Sequence, residues 1–216
     1  GHLDPDFLSI LADIRSMLRT VFQTENELTL AVSGTGTAAM EAALSNLIEP
    51  GDSMLACVHG YFGERLAEMG RRYGAAVERL EVPWGQVQDP AAIEAALARR
   101  PAKLVSLVHA ETSTGACQPE IAAIAAACHR HDALLVLDVV TSLGGLPVDI
   151  DGWQVDVAYS AAQKALSGPP GLSPITVSPR ARQAIARRAS TPPVFYFDLE
   201  LLGQYWGDRP TYHHTA

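Results

Sequence analysis

The sequence predicts an α/β domain with a mostly parallel central sheet flanked by helices. Three observations carry that expectation. Apolar runs of strand length alternate with stretches whose apolar residues recur at helical spacing. The strand runs are continuously apolar, without in-and-out alternation, as strands covered on both faces are. Turn-forming Gly, Pro and Asp punctuate the boundaries, as in "EPGD" (residues 49–52).

Taken in order, Asp4 or Asp6 caps a helix through "FLSILADIRSMLRTVFQ", where Phe7, Ile10, Leu11, Ile14, Leu18 and Val21 share helical spacing. Strand "LTLAVS" (Leu28–Ser33) meets "GTGT" and an alanine-rich helix, "AAMEAALSNLI", which "EPGD" ends before strand "SMLACV". A helix near "FGERLAEMGRRYG" precedes strand "AVERLEV", and a helix from "DPAAIEAALARR" precedes strand "KLVSLVHA". Helix "PEIAAIAAACHRH" precedes strand "ALLVLD". The stretch "YSAAQKALSGPPG" follows a further strand and leads into a Gly- and Pro-rich turn. Beyond Thr191 the texture becomes aromatic and less regular, in "TPPVFYFDLELLGQYWGDRP".

Composition narrows the function. Of 216 residues, 48% are hydrophobic and 19% charged, enough to bury a core and too apolar for disorder. Sixteen Lys and Arg against 24 Asp and Glu leave a net charge of −8, which argues against nucleic acid and anionic membrane as partners. Cys57, Cys117 and Cys128 are odd in number and form no CxxC pair, as suits reduced thiols in an intracellular protein. No apolar run approaches the roughly 20 residues that span a bilayer. The start, "GHLDPDF", lacks the regions of a signal peptide. With no initiator Met and no stop signal in "PTYHHTA", the chain reads as a fragment or a trimmed protein.

In such sheets ligands bind beyond the carboxyl ends of the strands. Residues 33–37, 109–114, 138–141 and 160–164 all follow strands, so four loops are expected to face one crevice. "SGTGTAAMEA" opens a helix whose free N–H groups and dipole suit a phosphate, with Thr35 and Thr37 as further donors. It also fits a plain structural turn, and Gly34-x-Gly36-x-x-Ala39 loosely matches a dinucleotide fingerprint. Asp138 closes its strand and serves either as a turn cap for Thr141 or Ser142, or as the partner of a buried cation such as a protonated ring nitrogen. Lys164 is either a surface lysine or, between the small residues 160–162 and the stiff "SGPPG" turn, a desolvated nucleophile for a carbonyl. Phosphate cradle, strand-end Asp and strand-end Lys together suggest pyridoxal phosphate. Tyr61 and Phe62 in "HGYFGER" could cover its ring, or Phe62 could be core.

Read in order, "SGTGT", "GYFGER", "HAETSTG", "LDVVTSLGG", "SAAQKALSGPPG" and "YHHT" resemble the class V aminotransferases among the fold-type I pyridoxal phosphate enzymes, and within them the alanine–glyoxylate and serine–pyruvate group. The resemblance implies a pyridoxal phosphate-binding large domain over residues 1–190, continued by the aromatic segment 191–216. Thr35, Gly36, Thr37 and Gln163 would hold the phosphate, and Phe62 would stack where animal relatives often have Trp. Thr112 would sit beside the ring oxygen, Asp138 on the pyridine nitrogen, Val140 beneath the ring, and Lys164 would be the Schiff-base lysine. Tyr212 and Thr215 would reach the phosphate of a second subunit, which implies a homodimer. The resemblance further implies amino transfer from alanine or serine to glyoxylate or pyruvate. Compartments among such relatives include cytosol, peroxisome and mitochondrion, with cytoplasm the expectation here.

Some features depart from the family. Besides Phe62 in place of Trp, Thr37 stands where some relatives carry His, and the small C-terminal domain with its carboxylate-gripping Arg and an N-terminal segment that helps close the site are absent from these residues. Alternatives with the same chemistry are aminoethylphosphonate, phosphoserine and ureidoglycine aminotransferases and cysteine desulfurases. A nicotinamide dehydrogenase rests on the glycine pattern alone, and a catalytically incomplete cofactor-binding scaffold also stands. The pair His213 and His214 lacks the further ligands that a metal needs.

Overall fold

The computed structural model describes residues 1–207, so Tyr212, His213, His214 and Thr215 lie outside the described residues. In chain order the elements are α1 (Pro5–Phe22), β1 (Leu28–Ser33), α2 (Gly36–Leu47), β2 (Ser53–Val58), α3 (Tyr61–Arg72), β3 (Ala76–Glu81), α4 (Pro90–Arg99) and β4 (Leu104–Val108). A short hairpin of β5 (Ala110–Glu111) and β6 (Ala116–Cys117) follows, then α5 (Ile121–Arg130), β7 (Leu134–Asp138), α6 (Ile150–Trp153) and β8 (Val157–Tyr159). The described chain ends with β9 (Leu172–Val177), α7 (Pro179–Ala186), a 3-10 turn at Phe195–Phe197 and α8 (Leu199–Tyr205).

Seven strands form the main sheet in the order β1-β9-β8-β7-β4-β2-β3. β9 runs antiparallel to both of its neighbours, and the remaining neighbouring pairs are parallel. β1, β2, β4, β7 and β8 therefore end at the same edge of the sheet. Alternate residues of each central strand feed two cores. Met54, Ala56, Val58, Leu134 and Val136 pack with α2 and α3 on one face. Leu55, Cys57, Leu135 and Leu137 pack with α4 and α5 on the other. Both faces are covered, which is why these strands read as unbroken apolar runs.

Local signals fix the helix starts. Asp4 is the cap of α1, its carboxylate accepting the Asp6 N–H at 3.0 Å, with Pro5 in the first turn. Asp89 and Ser178 cap α4 and α7 in the same way. Among the described residues no helix is long and apolar enough to cross a membrane. Leu199 and Leu202 of α8 are buried in the core that α2 lines, so the segment after Thr191 packs on the same body.

The sequence reading left β9, α6, α7 and α8 unplaced, and it ran β4 on through Ala110. At His109 the chain instead leaves the sheet: the His109 N–H donates to the Asp138 carbonyl, and the Gln118 N–H donates to the His109 carbonyl, opening the β5–β6 hairpin. β3 also departs from the expected continuous burial. It is an edge strand whose Glu78 and Arg79 pair with Arg99 and Glu64.

α3 lies close against β2 at Gly63, where an added Cβ would stand 3.0 Å from the Cys57 carbonyl oxygen and 3.1 Å from the Val58 Cα. Both neighbours are backbone and cannot rotate aside. Gly63→Ala is expected to lower stability by roughly 1–2 kcal/mol in chemical denaturation, despite the better helix propensity of alanine. Unchanged stability would show that α3 can lift from the sheet.

Candidate active site

The four strand-end loops border a cleft of about 180 Å³. Its walls bring together Thr35, Gly36, Thr37, Phe62, Thr112, Asp138, Val140, Gln163 and Lys164, nine of the residues singled out in the sequence. Arg65, Met40 and Thr141 also line it, and the sequence reading did not name Arg65 or Met40.

Asp138 ends the fully buried strand β7 and is 3% exposed. Its Oδ1 accepts the Val140 N–H at 2.9 Å, and its Oδ2 accepts the Tyr159 hydroxyl at 2.9 Å. Among the described residues no cation pairs with it at salt-bridge distance. Burial therefore raises its pKa from the ordinary 3.8 to about 6, against the lowering effect of the two hydrogen bonds. The turn-cap reading was half right: the carboxylate does bond within its own turn, to Val140 instead of Thr141 or Ser142. The sequence reading missed Tyr159, whose position opposite Asp138 in the parallel β7–β8 register brings the phenol to the carboxylate.

At the other end of the cleft, α2 starts at Gly36 with no side-chain cap on its N-terminus. The Ala38 N–H donates to the Thr35 carbonyl at 2.7 Å, and the N–H groups of Gly36 and Thr37 ahead of it carry the positive end of the helix dipole. Gly36 fits closely there: a Cβ would sit 3.2 Å from both Ala161 Cβ and Val140 Cγ2, tight enough to press on both side chains. Between the two ends, Phe62 is held through the start of α3. The buried Glu111 carboxylate accepts the N–H groups of Phe62 and Gly63, and Ser113 Oγ accepts that of Tyr61 at 2.8 Å. Any side chain at Gly60 would collide with Glu111. Glu111 is a second residue that sequence reasoning did not single out, although it lies inside the quoted "HAETSTG".

The lysine loop is laid along β9. The Ser160 N–H donates to the Pro174 carbonyl at 2.8 Å, and the Ala162 N–H to the Leu172 carbonyl at 3.0 Å. Gly34 is tied to the same segment, its N–H donating to the Gly171 carbonyl at 2.7 Å. Lys164 lines the cleft but is an exposed residue, so the desolvation expected for it is not supplied by the described residues. The buried amide oxygen of Gln163 has no hydrogen-bond partner among the described residues.

The fold, with a lone antiparallel strand beside a parallel sheet and the cleft at the strand ends, is that of the fold-type I pyridoxal phosphate enzymes. The family model for the class-V aminotransferases matches residues 1–191, and the chain belongs to that family, whose members depend on pyridoxal phosphate. It is 42% identical over 218 residues to an alanine–glyoxylate aminotransferase of Drosophila melanogaster, covering all of this chain and 55% of that protein. Among solved structures it is similar to an alanine–glyoxylate aminotransferase from Nostoc sp., with 51% identity and a TM-score of 0.98, over 100% of this chain and 57% of that one. A ureidoglycine–glyoxylate aminotransferase from Bacillus subtilis gives 41% identity and a TM-score of 0.96, over 100% and 56% of the two chains. The chain thus spans a little over half the length of these relatives.

The residues present suit that cofactor. A buried carboxylate without a cation matches a protonated ring nitrogen, and an uncapped helix N-terminus flanked by Thr35 and Thr37 matches a phosphate. Because the folded-state pKa of Asp138 lies above the unfolded value, the folded protein retains a proton that the unfolded chain has released between about pH 4 and 6. The carboxyl therefore costs little at pH 4, and above pH 6 it costs on the order of 2–3 kcal/mol. Asp138→Asn should raise the melting temperature of the cofactor-free protein at pH 7.5 and leave it unraised at pH 4. An equal effect at the two pH values would contradict the raised pKa.

Proposed function

We propose that this chain is the cofactor-binding part of a pyridoxal phosphate-dependent transaminase that moves an amino group from alanine, or serine, to glyoxylate or pyruvate. One observation carries the reading: loops from β1, β7 and β8 bring an anion site, a cation-seeking carboxylate and Lys164 to a single cleft. Glyoxylate is the preferred acceptor because the relatives named above share it in both their alanine and ureidoglycine forms.

Pyridoxal phosphate, when bound, supplies an aldehyde that condenses with amines and a protonated ring that takes up electrons. The start of α2, with Thr35, Thr37 and Gln163, holds the phosphate. Phe62 and Val140 would pack on the ring, and Thr112 would donate to its oxygen. Asp138 would hold a proton on the ring nitrogen, and its two hydrogen bonds aim the carboxylate. Lys164 would supply the amine that binds the aldehyde and, when free, the base that moves the substrate's α-proton. Its exposed position suits an amine that substrate must reach.

Three further parts belong to this reading. Residues 1–190 form the large domain that 191–216 continues, and a small C-terminal domain with a carboxylate-binding Arg completes the active enzyme. A homodimer closes the site, with Tyr212 and Thr215 supplied by the partner. Ile10, Met17 and Val21 support it, as exposed apolar residues along one side of α1. The setting is intracellular, supported by the free thiols of Cys57, Cys117 and Cys128.

Adding pyridoxal phosphate to the protein should produce visible absorbance that Lys164→Ala abolishes. Retention of that absorbance by the variant would remove Lys164 from its role. The enzyme carrying its C-terminal domain should convert alanine plus glyoxylate to pyruvate and glycine. The second reading, supported by the Bacillus subtilis likeness, is distinguished by faster turnover with (S)-ureidoglycine than with alanine.

A further inference from the structure

Arg65 has no part in the roles assigned above, yet its half-buried side chain lines the cleft. One guanidinium nitrogen donates to Thr37 Oγ1 at 2.9 Å. The guanidinium carbon lies 4.9 Å from the centre of the Phe62 ring and 5.2 Å from that of Tyr61. The other arginines of α3 have a carboxylate partner: Arg71 and Arg72 share Glu68. Among the described residues no carboxylate pairs with Arg65. A cation set against two aromatic faces, without an anion and beside an uncapped helix start, is arranged for a negatively charged ligand.

The bond to Thr37 has a direction. Arginine only donates, so Thr37 Oγ1 must accept from it, and one of the hydroxyl's two lone pairs is then occupied. The hydroxyl keeps a single proton to donate, and it has no acceptor among the described residues. The same oxygen therefore receives a proton from Arg65 on one side and offers its own on the other. Polarisation by the guanidinium strengthens that second donor.

We infer that Arg65 is a positioning residue of the phosphate subsite: it sets the Thr37 hydroxyl as a donor to the cofactor's phosphate and adds the positive charge that the loop itself lacks. The inference rests on the cofactor reading given under Proposed function. The Arg65–Thr37 pair supplies both a cation and a donor at that position. Asp138, Lys164 and Phe62 engage the ring and aldehyde, so Arg65 should matter more to a ligand that bears the phosphate than to one that lacks it.

The test compares pyridoxal phosphate with pyridoxal, which has the same ring and aldehyde and no phosphate, by absorbance titration of the protein and its Arg65→Gln, Arg65→Lys and Thr37→Val variants. Thermal melting of each variant checks that it is folded. Arg65→Gln should weaken binding of pyridoxal phosphate about tenfold or more and weaken pyridoxal by much less, since Arg65 reaches the ring only indirectly, through its contact with Phe62 and its charge near Asp138. Arg65→Lys should recover part of the loss, because it restores charge without the fork. The double variant Arg65→Gln with Thr37→Val should lose less than the product of the single losses, as expected for groups that act as a pair. Equal weakening of both ligands would overturn the inference and leave Arg65 a support for Phe62. No weakening of either would overturn it as well. A wild-type protein that bound neither ligand would instead sink the cofactor reading, and the inference with it.

Discussion

The site depends on a carboxylate that the fold buries without a counter-charge. Asp138 lies at the end of a strand whose five residues are all buried, between parallel neighbours. Burial removes most of its hydration, and the Val140 N–H and Tyr159 hydroxyl that reach the carboxylate are neutral donors. They aim its oxygens without repaying the loss of hydration, which is why burial outweighs them. A folded domain tolerates such a cost where a ligand removes it, and a protonated ring nitrogen does so by putting a cation against the carboxylate.

The rest of the cleft follows from that polarity. One end attracts positive charge, and the other, at the start of α2, attracts negative charge through free N–H groups, threonine hydroxyls and Arg65. A flat ligand with a ring cation and a phosphate can enter in only one sense. The framework around it is stiff for identifiable reasons. Glu111 and Ser113 tie down the first turn of α3 and with it Phe62. Backbone bonds to β9 hold both the glycine loop at Gly34 and the segment that carries Lys164. The antiparallel strand and the residue before it thus join the start of α2 to the segment that carries Lys164.

Much of this was legible in the sequence, because the central strands are apolar on both faces and the first helix carries an explicit cap. Asp4, the apolar run ending in Asp138, and the glycines before α2 announced their places. What stayed hidden depended on contacts between distant segments. β9 contains Pro174, which argues against a strand within a sheet. The proline fits because its carbonyl, not the N–H it lacks, is what the neighbouring Ser160 uses. Tyr159 could not be paired with Asp138 before the register of β7 and β8 was known. Arg65 reads as an ordinary arginine on a charged helix until the fold swings it over Thr37. Lys164 is the opposite case: its place at the cleft was foreseen, whereas its desolvation was not.

The most direct measurement is the titration of the Asp138 side-chain carboxyl by carbon NMR, without and with pyridoxal phosphate. The account predicts a midpoint near 6 in the cofactor-free protein. It also predicts a carboxylate that stays ionised from about pH 5 to 8 once the cofactor is bound. An ordinary midpoint near 4 without cofactor, or a midpoint that the cofactor does not lower, would contradict it.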